Sequence, residues 1–306
     1  MHPVVTLTPN PALDTYVEVS RILPDVKLRT GPARLDPGGG GVNVSRVLAR
    51  LGVPTRAVLP LGGVTGDQVK TLAAAEGLTP EAVPIAGMTR SSFVARSEET
   101  GELLRFVTPG PALTREEGAA LLTAFADALA PGALCVGSGS LPPGSDGAFW
   151  AGAARIAAQA EARFILDSSR GVAGALSAGL FLLRLNFSEA EALAGSGLSW
   201  PDGAVSWART LLARGCEAVI LTHGAQGALL VEGGEAVAAI PPPVKVRSAV
   251  GAGDSFVGGL AAGLARGEEL APSLRLAVAA AAATMQTEGT ALCEAAEVDR
   301  IRPLVR

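Results

Sequence analysis

The sequence predicts an α/β fold: a mostly parallel central sheet with helices on both faces, a three-layer α/β/α sandwich, and a small β-sheet beside it. Three observations predict this. Short β-branched or aliphatic runs alternate with longer segments of helical period, the pattern of strand–helix–strand units. Two stretches, about 14–36 and 90–107, break that rhythm and belong to no such unit. The chain has 306 residues, 48% of them hydrophobic, enough to close a full core as one domain over 1–306.

Val4 to Thr8 is the first strand. Val42 to Leu51 follows as a helix, because Val44, Val47, Leu48 and Leu51 share one face. Ala57 to Leu61 is the next strand and Gln68 to Glu76 the next helix. Further strands are predicted at Leu134 to Val136, Phe164 to Leu166, Leu180 to Leu183 and Val219 to Thr222. Helices are predicted between them at Arg115 to Leu129, Ala148 to Ala162, Glu189 to Ala194 and Val205 to Arg214. Ala228 to Ile240 reads as a hairpin around the turn signal Gly233-Gly234, and Ala252 through Thr287 as nearly all helix. In the irregular stretches, Tyr16 to Leu35 alternates apolar and polar residues, while Ser91 to Val107 holds two strand-like runs around Glu99-Thr100-Gly101. These form the small sheet, either a lid over a site or decoration on a sheet edge.

Composition excludes several classes. With 25 basic against 29 acidic residues and a net charge of -4, the chain carries no electrostatic footprint for nucleic acid. Cys135, Cys216 and Cys293 are far apart with no CxxC pair, which reads as free thiols in a reducing cytoplasm. His2 and His223 are the only histidines, so a histidine-rich zinc site or a histidine-based hydrolytic triad is not expected. The first ten residues carry prolines at 3 and 9 and no basic run, so no secretory leader is expected there. The longest apolar run, Leu276 to Met285, is too short to span a bilayer, so no membrane partner is expected.

Two glycine clusters carry the chemistry. Gly38-Gly39-Gly40-Gly41 leads into a helix and to Asn43. Such a run lets backbone approach a ligand, and Asn43 both donates and accepts, which suits a sugar hydroxyl; a plain flexible turn is the simpler alternative. Gly251-Ala252-Gly253-Asp254 opens a second helix. Its N–H groups suit an anion, and Asp254 in the first turn, kept ionised by the helix N-terminus, suits a proton acceptor; an ordinary capping aspartate is the alternative. No GxxxxGK[ST], no dinucleotide fingerprint and no GxSxG occur, even around Gly137-Ser138-Gly139-Ser140.

The sequence resembles the PfkB (ribokinase-like) carbohydrate kinases nearly end to end, and within them the minor, type 2 6-phosphofructokinases. The resemblance rests on Thr6-Leu-Thr-Pro-Asn-Pro-Ala-Leu-Asp14, Lys27-Leu-Arg29, Pro37-Gly-Gly-Gly-Gly-Val-Asn43, Arg105-Phe-Val-Thr-Pro-Gly110, Ser138-Gly-Ser-Leu-Pro-Pro-Gly144, Asp167-Ser-Ser169, Gly224-Ala-Gln-Gly227, Pro241-Pro-Pro-Val-Lys245 and Val250-Gly-Ala-Gly-Asp254. It implies a ribokinase-like sandwich with a β lid, phosphorylation of fructose 6-phosphate by ATP with Mg²⁺, and a homodimer through the lid.

Site residues follow from the same resemblance. Asp254 matches the base, and Gly251, Ala252 and Gly253 the anion hole. Asp14, Gly38, Gly39, Asn43 and Ser140 match the sugar side, while Lys27, Arg29, Arg90 and Arg105 match the cations for the substrate phosphate. Arg184, Asn186, Thr222, Gly224 and Gly227 match the nucleotide side, and Glu189 completes the NxxE element for Mg²⁺. Two departures stand out. The relatives' Lys-Pro-Asn is Arg184-Leu185-Asn186 here, in a chain with only three lysines, and their Gly-Thr-Arg is Gly289-Thr290-Ala291, beside a monovalent-cation region, which leaves K⁺ open. Tagatose-6-phosphate kinase and 1-phosphofructokinase share both glycine clusters and are the alternatives. A non-catalytic sugar-phosphate sensor is a remoter one, because Asp254, Asn186 and Glu189 are all present.

Overall fold

A computed structural model of the chain describes residues 3–306, so His2 lies outside the described residues. In chain order the elements are β1 (Val4–Leu7), β2 (Ala12–Val19), β3 (Arg34–Gly38), α1 (Gly40–Arg50), β4 (Thr55–Leu61), α2 (Gly63–Ala75), β5 (Glu81–Pro84), β6 (Arg90–Ser97), β7 (Leu103–Val107), α3 (Arg115–Ala128) and β8 (Leu134–Ser138). Then come α4 (Ala148–Gln159), β9 (Arg163–Asp167), α5 (Val172–Ala178), β10 (Leu180–Asn186), α6 (Phe187–Ala194), α7 (Asp202–Leu212), β11 (Cys216–Thr222), β12 (Ala228–Glu232), β13 (Glu235–Ala239), α8 (Ala252–Ala265), α9 (Leu270–Thr284) and α10 (Ala295–Ile301).

Nine strands form the main sheet in the order β13-β12-β11-β10-β9-β8-β1-β4-β5. Its pairings are parallel except for the antiparallel β11–β12–β13 edge, where the short 223–227 turn joins β11 to β12 and the tight Gly233-Gly234 turn joins β12 to β13. Alternate residues of each strand face opposite sides. Val136, Ile165, Leu182 and Ile220 therefore meet α1, α8, α9 and α10 through Leu48, Phe256, Leu274 and Val298. Cys135, Phe164, Leu183 and Val219 meet α3, α4, α5 and α7 through Phe125, Trp150, Leu176 and Ala208. Burial on both faces is what a parallel sheet requires, and it yields the predicted three layers.

The second sheet has the order β3-β2-β6-β7. β2 runs parallel to β6, and the outer pairs are antiparallel. The expected strand character of Tyr16 to Leu35 ends at Val19 and resumes only at Arg34. Residues 20–33 between them, with Pro24, Gly31 and Pro32, form no strand and are almost wholly exposed. The long C-terminal helix is in fact two, because Gly267 turns the chain with φ 84° between Ala265 and Leu270. The elements β5, α5 and α10 are too short to show a period, and the sequence does not reveal them. Among the described residues no helix is long and apolar enough to cross a membrane, and the three cysteines are buried and unpaired.

Candidate active site

Parallel strands bring their C-terminal ends to one edge of the sheet. Here that edge gathers Thr8 and Asn10 after β1, Ser138 on β8, Asp167 on β9, Asn186 on β10 and Thr222 on β11. The second sheet and the N-termini of α1 and α8 meet them there. Both glycine clusters are loops that the fold must turn sharply. Gly39 sits at φ 107°, where a Cβ would lie 2.9 Å from Thr8 Cγ2 and 3.0 Å from Pro11 Cα. Gly251 sits at φ 75° as the N-cap of α8, and a Cβ there would lie 2.5 Å from Leu292 Cδ2. No side chain caps α8, so its first-turn N–H groups and the positive end of a 14-residue helix face the site.

Asp254 lies in that first turn. Its Oδ2 accepts a 2.7 Å hydrogen bond from Asn43 Nδ2 on α1, a contact between residues 211 apart in sequence. Burial, reinforced by the negative charge of Asp167, pushes its carboxyl up to about 7, against the pull of Asn43 and Arg184. The helix N-terminus was expected to hold this group ionised. Desolvation outweighs it, and Asp254 is instead poised to exchange a proton near neutrality.

The sugar side is built on the second sheet. Asp14 on β2 is buried, and burial raises its carboxyl although Arg105, Arg90 and Ser92 oppose the shift. Gly38 is its close neighbour; a Cβ there would fall 2.2 Å from Asp14 Oδ2. Arg90 donates to the carbonyls of Asn10 and Thr108 at 3.1 to 3.2 Å, and burial pulls its guanidinium pKa below the usual arginine value. Arg105, on exposed β7, makes no ion pair among the described residues. Two cations thus converge on one carboxylate and leave surplus positive charge for an anion. Sequence reasoning did not single out Asn10. It is buried, and its Nδ2 donates to Pro109 O (3.0 Å) and to Ser140 Oγ (3.2 Å), joining the end of β7 to the loop after β8. Lys27 and Arg29 lie in the exposed 20–33 segment.

Beneath the α8 turn, Arg184 Nη1 pairs with Asp167 Oδ1 at 3.0 Å and Nη2 donates to Thr222 Oγ1 at 2.8 Å. Ser138 Oγ donates to the other Asp167 oxygen at 2.8 Å, and the guanidinium lies over the Phe256 ring. A Cβ on Gly253 would come within 3.2 Å of Arg184 Nη1, so the guanidinium underlies the glycine turn directly. Asp167, which the sequence marks only as part of a motif, is thus the pivot of this group. Gly224 and Gly227 form the turn after Thr222, with His223 stacked on Phe187.

Asn186 and Glu189 face each other as a capping box at the start of α6: Asn186 Oδ1 accepts from Glu189 N (2.9 Å) and Glu189 Oε2 from Asn186 N (2.8 Å). Glu189 Oε1 takes no part in that box and has no hydrogen bond among the described residues. Among the described residues no three His, Cys, Asp or Glu side chains cluster as a metal cage. This donor set fits Mg²⁺ that arrives on nucleotide phosphates, held by a carboxylate and water, rather than a resident ion.

Residues 11–297 match the model of the pfkB family of carbohydrate kinases. The chain is 39% identical over 298 residues to ATP-dependent 6-phosphofructokinase isozyme 2 of Mycobacterium tuberculosis, covering 97% of this chain and 88% of that protein. It is 35% identical to a 1-phosphofructokinase of Xanthomonas campestris, covering 90% and 88%. Phosphofructokinase-2 of Escherichia coli, crystallised with potassium, superposes with a TM-score of 0.94 at 36% identity and 99% coverage of both chains. A structure of that protein with fructose-6-phosphate gives 0.92 at 34% identity, again with 99% of each chain covered.

Proposed function

The chain belongs to the pfkB family of carbohydrate kinases, and from that premise we propose that it phosphorylates fructose 6-phosphate with MgATP to give fructose 1,6-bisphosphate. As a member it is a phosphotransferase with an alcohol group as acceptor. The observation that carries the finer reading is the Asn43–Asp254 pair at the mouth of the uncapped α8 turn, with Asp14, Arg90 and Arg105 close by.

Asp254 takes the proton of the sugar hydroxyl as that oxygen attacks the γ-phosphorus in line, and the bond from that phosphorus to the β–γ bridging oxygen breaks to release ADP. Asp14 and Asn43 orient the sugar, and Arg90 and Arg105, joined by Lys27 and Arg29 once the 20–33 segment folds over, hold its phosphate. The Gly251–Gly253 amides and Arg184 face the oxygens of the transferred group. Mg²⁺ supplies charge neutralisation on the phosphates, and Glu189 and Asn186 lie where they can hold it through water. Thr222, Gly224 and Gly227 receive the nucleotide. The Ala291 departure leaves K⁺ as a proposal, supported by the potassium complex of the Escherichia coli protein.

We place the 1–306 chain in the cytoplasm as a single domain whose second sheet, over about 14–36 and 90–107, is both lid and dimer contact. Its outer face supports this: Phe93, Leu104 and Phe106 are all exposed, and the two phenylalanine rings lie 6.4 Å apart. Phe106→Glu is expected to convert a dimer into a monomer on gel filtration; an unchanged elution volume refutes the contact.

The 1-phosphofructokinase likeness keeps one rival reading in view. Initial rates of ADP release on fructose 6-phosphate, fructose 1-phosphate and tagatose 6-phosphate decide between them. The expected result is a preference of about tenfold or more in kcat/KM for fructose 6-phosphate. Preference for either of the others overturns the assignment, and sugar-phosphate binding without ADP release would make the protein a sensor.

A further inference from the structure

Arg46 on α1 is only 1% exposed. A buried guanidinium is tolerated where its donors are met. All five are met here. Nε donates to the Glu76 carboxylate at 3.0 Å; Nη2 donates to Glu76 Oε1 at 2.6 Å and Asp36 Oδ1 at 3.0 Å. Nη1 donates to the Pro37 carbonyl at 3.2 Å and to Asn43 Oδ1 at 3.0 Å.

The last contact bears on chemistry. An asparagine amide has an acceptor end and a donor end. With Arg46 on Oδ1, the donor end of Asn43 must face the other way, where it meets Asp254 Oδ2 at 2.7 Å. Turned over, the amide would set donor against donor at Arg46 and oxygen against oxygen at Asp254. The outer contacts reach the second sheet: Asp36 and Pro37 lie on β3, and Asp36 stands opposite Asp14 in the β2–β3 register. Asp36 is gripped in turn by Arg34 and by Thr290.

We propose that Arg46 is a positioning residue for phosphoryl transfer. It locks the Asn43 amide so that Asp254 keeps one carboxylate oxygen bonded and presents the other to the sugar hydroxyl. Through Asp36 and Pro37 it also ties that setting to the strand beside Asp14. The inference rests on reading Asp254 as the base. The groups facing Asp254 are Asn43 from α1, Asp167 from β9, Arg184 from β10 and Asp14 from β2, so Arg46 acts through the amide.

Arg46→Lys tests it. Lysine keeps the charge but is a point donor and cannot hold Glu76, Asp36 and Asn43 together. The expected result is a kcat lower by about tenfold, with KM for the sugar phosphate moved much less. The Asn43 bond lowers the Asp254 carboxyl, so loosening it moves the acid limb of kcat/KM upward by about half a pH unit or more. Glu76→Gln loosens only the outer contact and is expected to lower Tm while leaving that limb in place. In an Asn43→Ala background, Arg46→Lys should change neither kcat nor the limb further.

Wild-type kcat with an unmoved limb overturns the proposal, as does an Arg46→Lys effect that persists in full beside Asn43→Ala. Where Arg46→Lys fails to fold, Arg46→Gln with Glu76→Gln removes a cation and an anion together. Measured against Glu76→Gln alone, that pair must show the same loss and the same shift, or the proposal falls. Asp254→Asn separates the two failures. Retained turnover in that variant overturns the base itself, whereas an inactive Asp254→Asn beside a silent Arg46→Lys overturns only the positioning role.

Discussion

Asp254→Asn is expected to lose about 10²- to 10⁴-fold in turnover while still binding sugar phosphate. The substitution is isosteric, and its Oδ1 can accept the Asn43 hydrogen bond, so the Asp14 side of the site is left intact. What is lost is the proton acceptor. Calorimetry for binding and coupled ADP release for turnover check the two halves, and near-normal turnover would remove Asp254 from the mechanism. The wild-type pH profile carries the same signature. A base with a carboxyl near 7 must be ionised to work, so kcat/KM should fall about tenfold per unit as pH drops below about 7.

Stability should move the other way. A carboxyl raised on folding binds more protons in the folded state than in the unfolded one between about 4 and 7. Its contribution is therefore present at low pH and lost as pH rises through about 7. At pH 8 Asp254→Asn removes an unfavourable buried charge, and a Tm higher by a few °C, about 1 kcal/mol or so, is expected from thermal unfolding.

Arg184→Met should damage both fold and function. Arg184 and Asp167 are each 11% exposed, and the methionine leaves Asp167 buried with only Ser138 to satisfy it. Breaking a buried pair in this way costs about 3–5 kcal/mol of stability, read as a lower urea midpoint. The cation beneath the α8 turn is lost as well, and kcat/KM for ATP should fall by about 10- to 100-fold. Asp167→Asn with Arg184→Met avoids the stranded charge, so it should recover stability without recovering ATP use. Recovery of both would make Arg184 purely structural.

Much of this site was legible in the sequence for a reason that can be stated. Glycine at positive φ, as at Gly39 and Gly251, has few substitutes, so the turns that bring backbone to a ligand leave a mark in the letters. Asp254 could be placed three residues past such a glycine. Its acidity could not, because the Asp167 charge and the burial that set it come from elsewhere in the fold. Asn10 and Arg46 were missed for the same reason. Each is an ordinary polar residue until the sheet edge and the second sheet give it partners up to 130 residues away. Residues 20–33 were misjudged because alternation in a segment with no strand to pair with does not make a strand.

The sequence by itself determined the layers, the strand–helix order and the two glycine turns, because these depend on local period and backbone freedom. Only the tertiary structure decided which polar atoms face one another. It turned the Asn43 amide toward Asp254, set Arg184 between Asp167 and Thr222, and placed Asp36 opposite Asp14. Such contacts join residues far apart in the chain, and their energies depend on burial that no local pattern encodes.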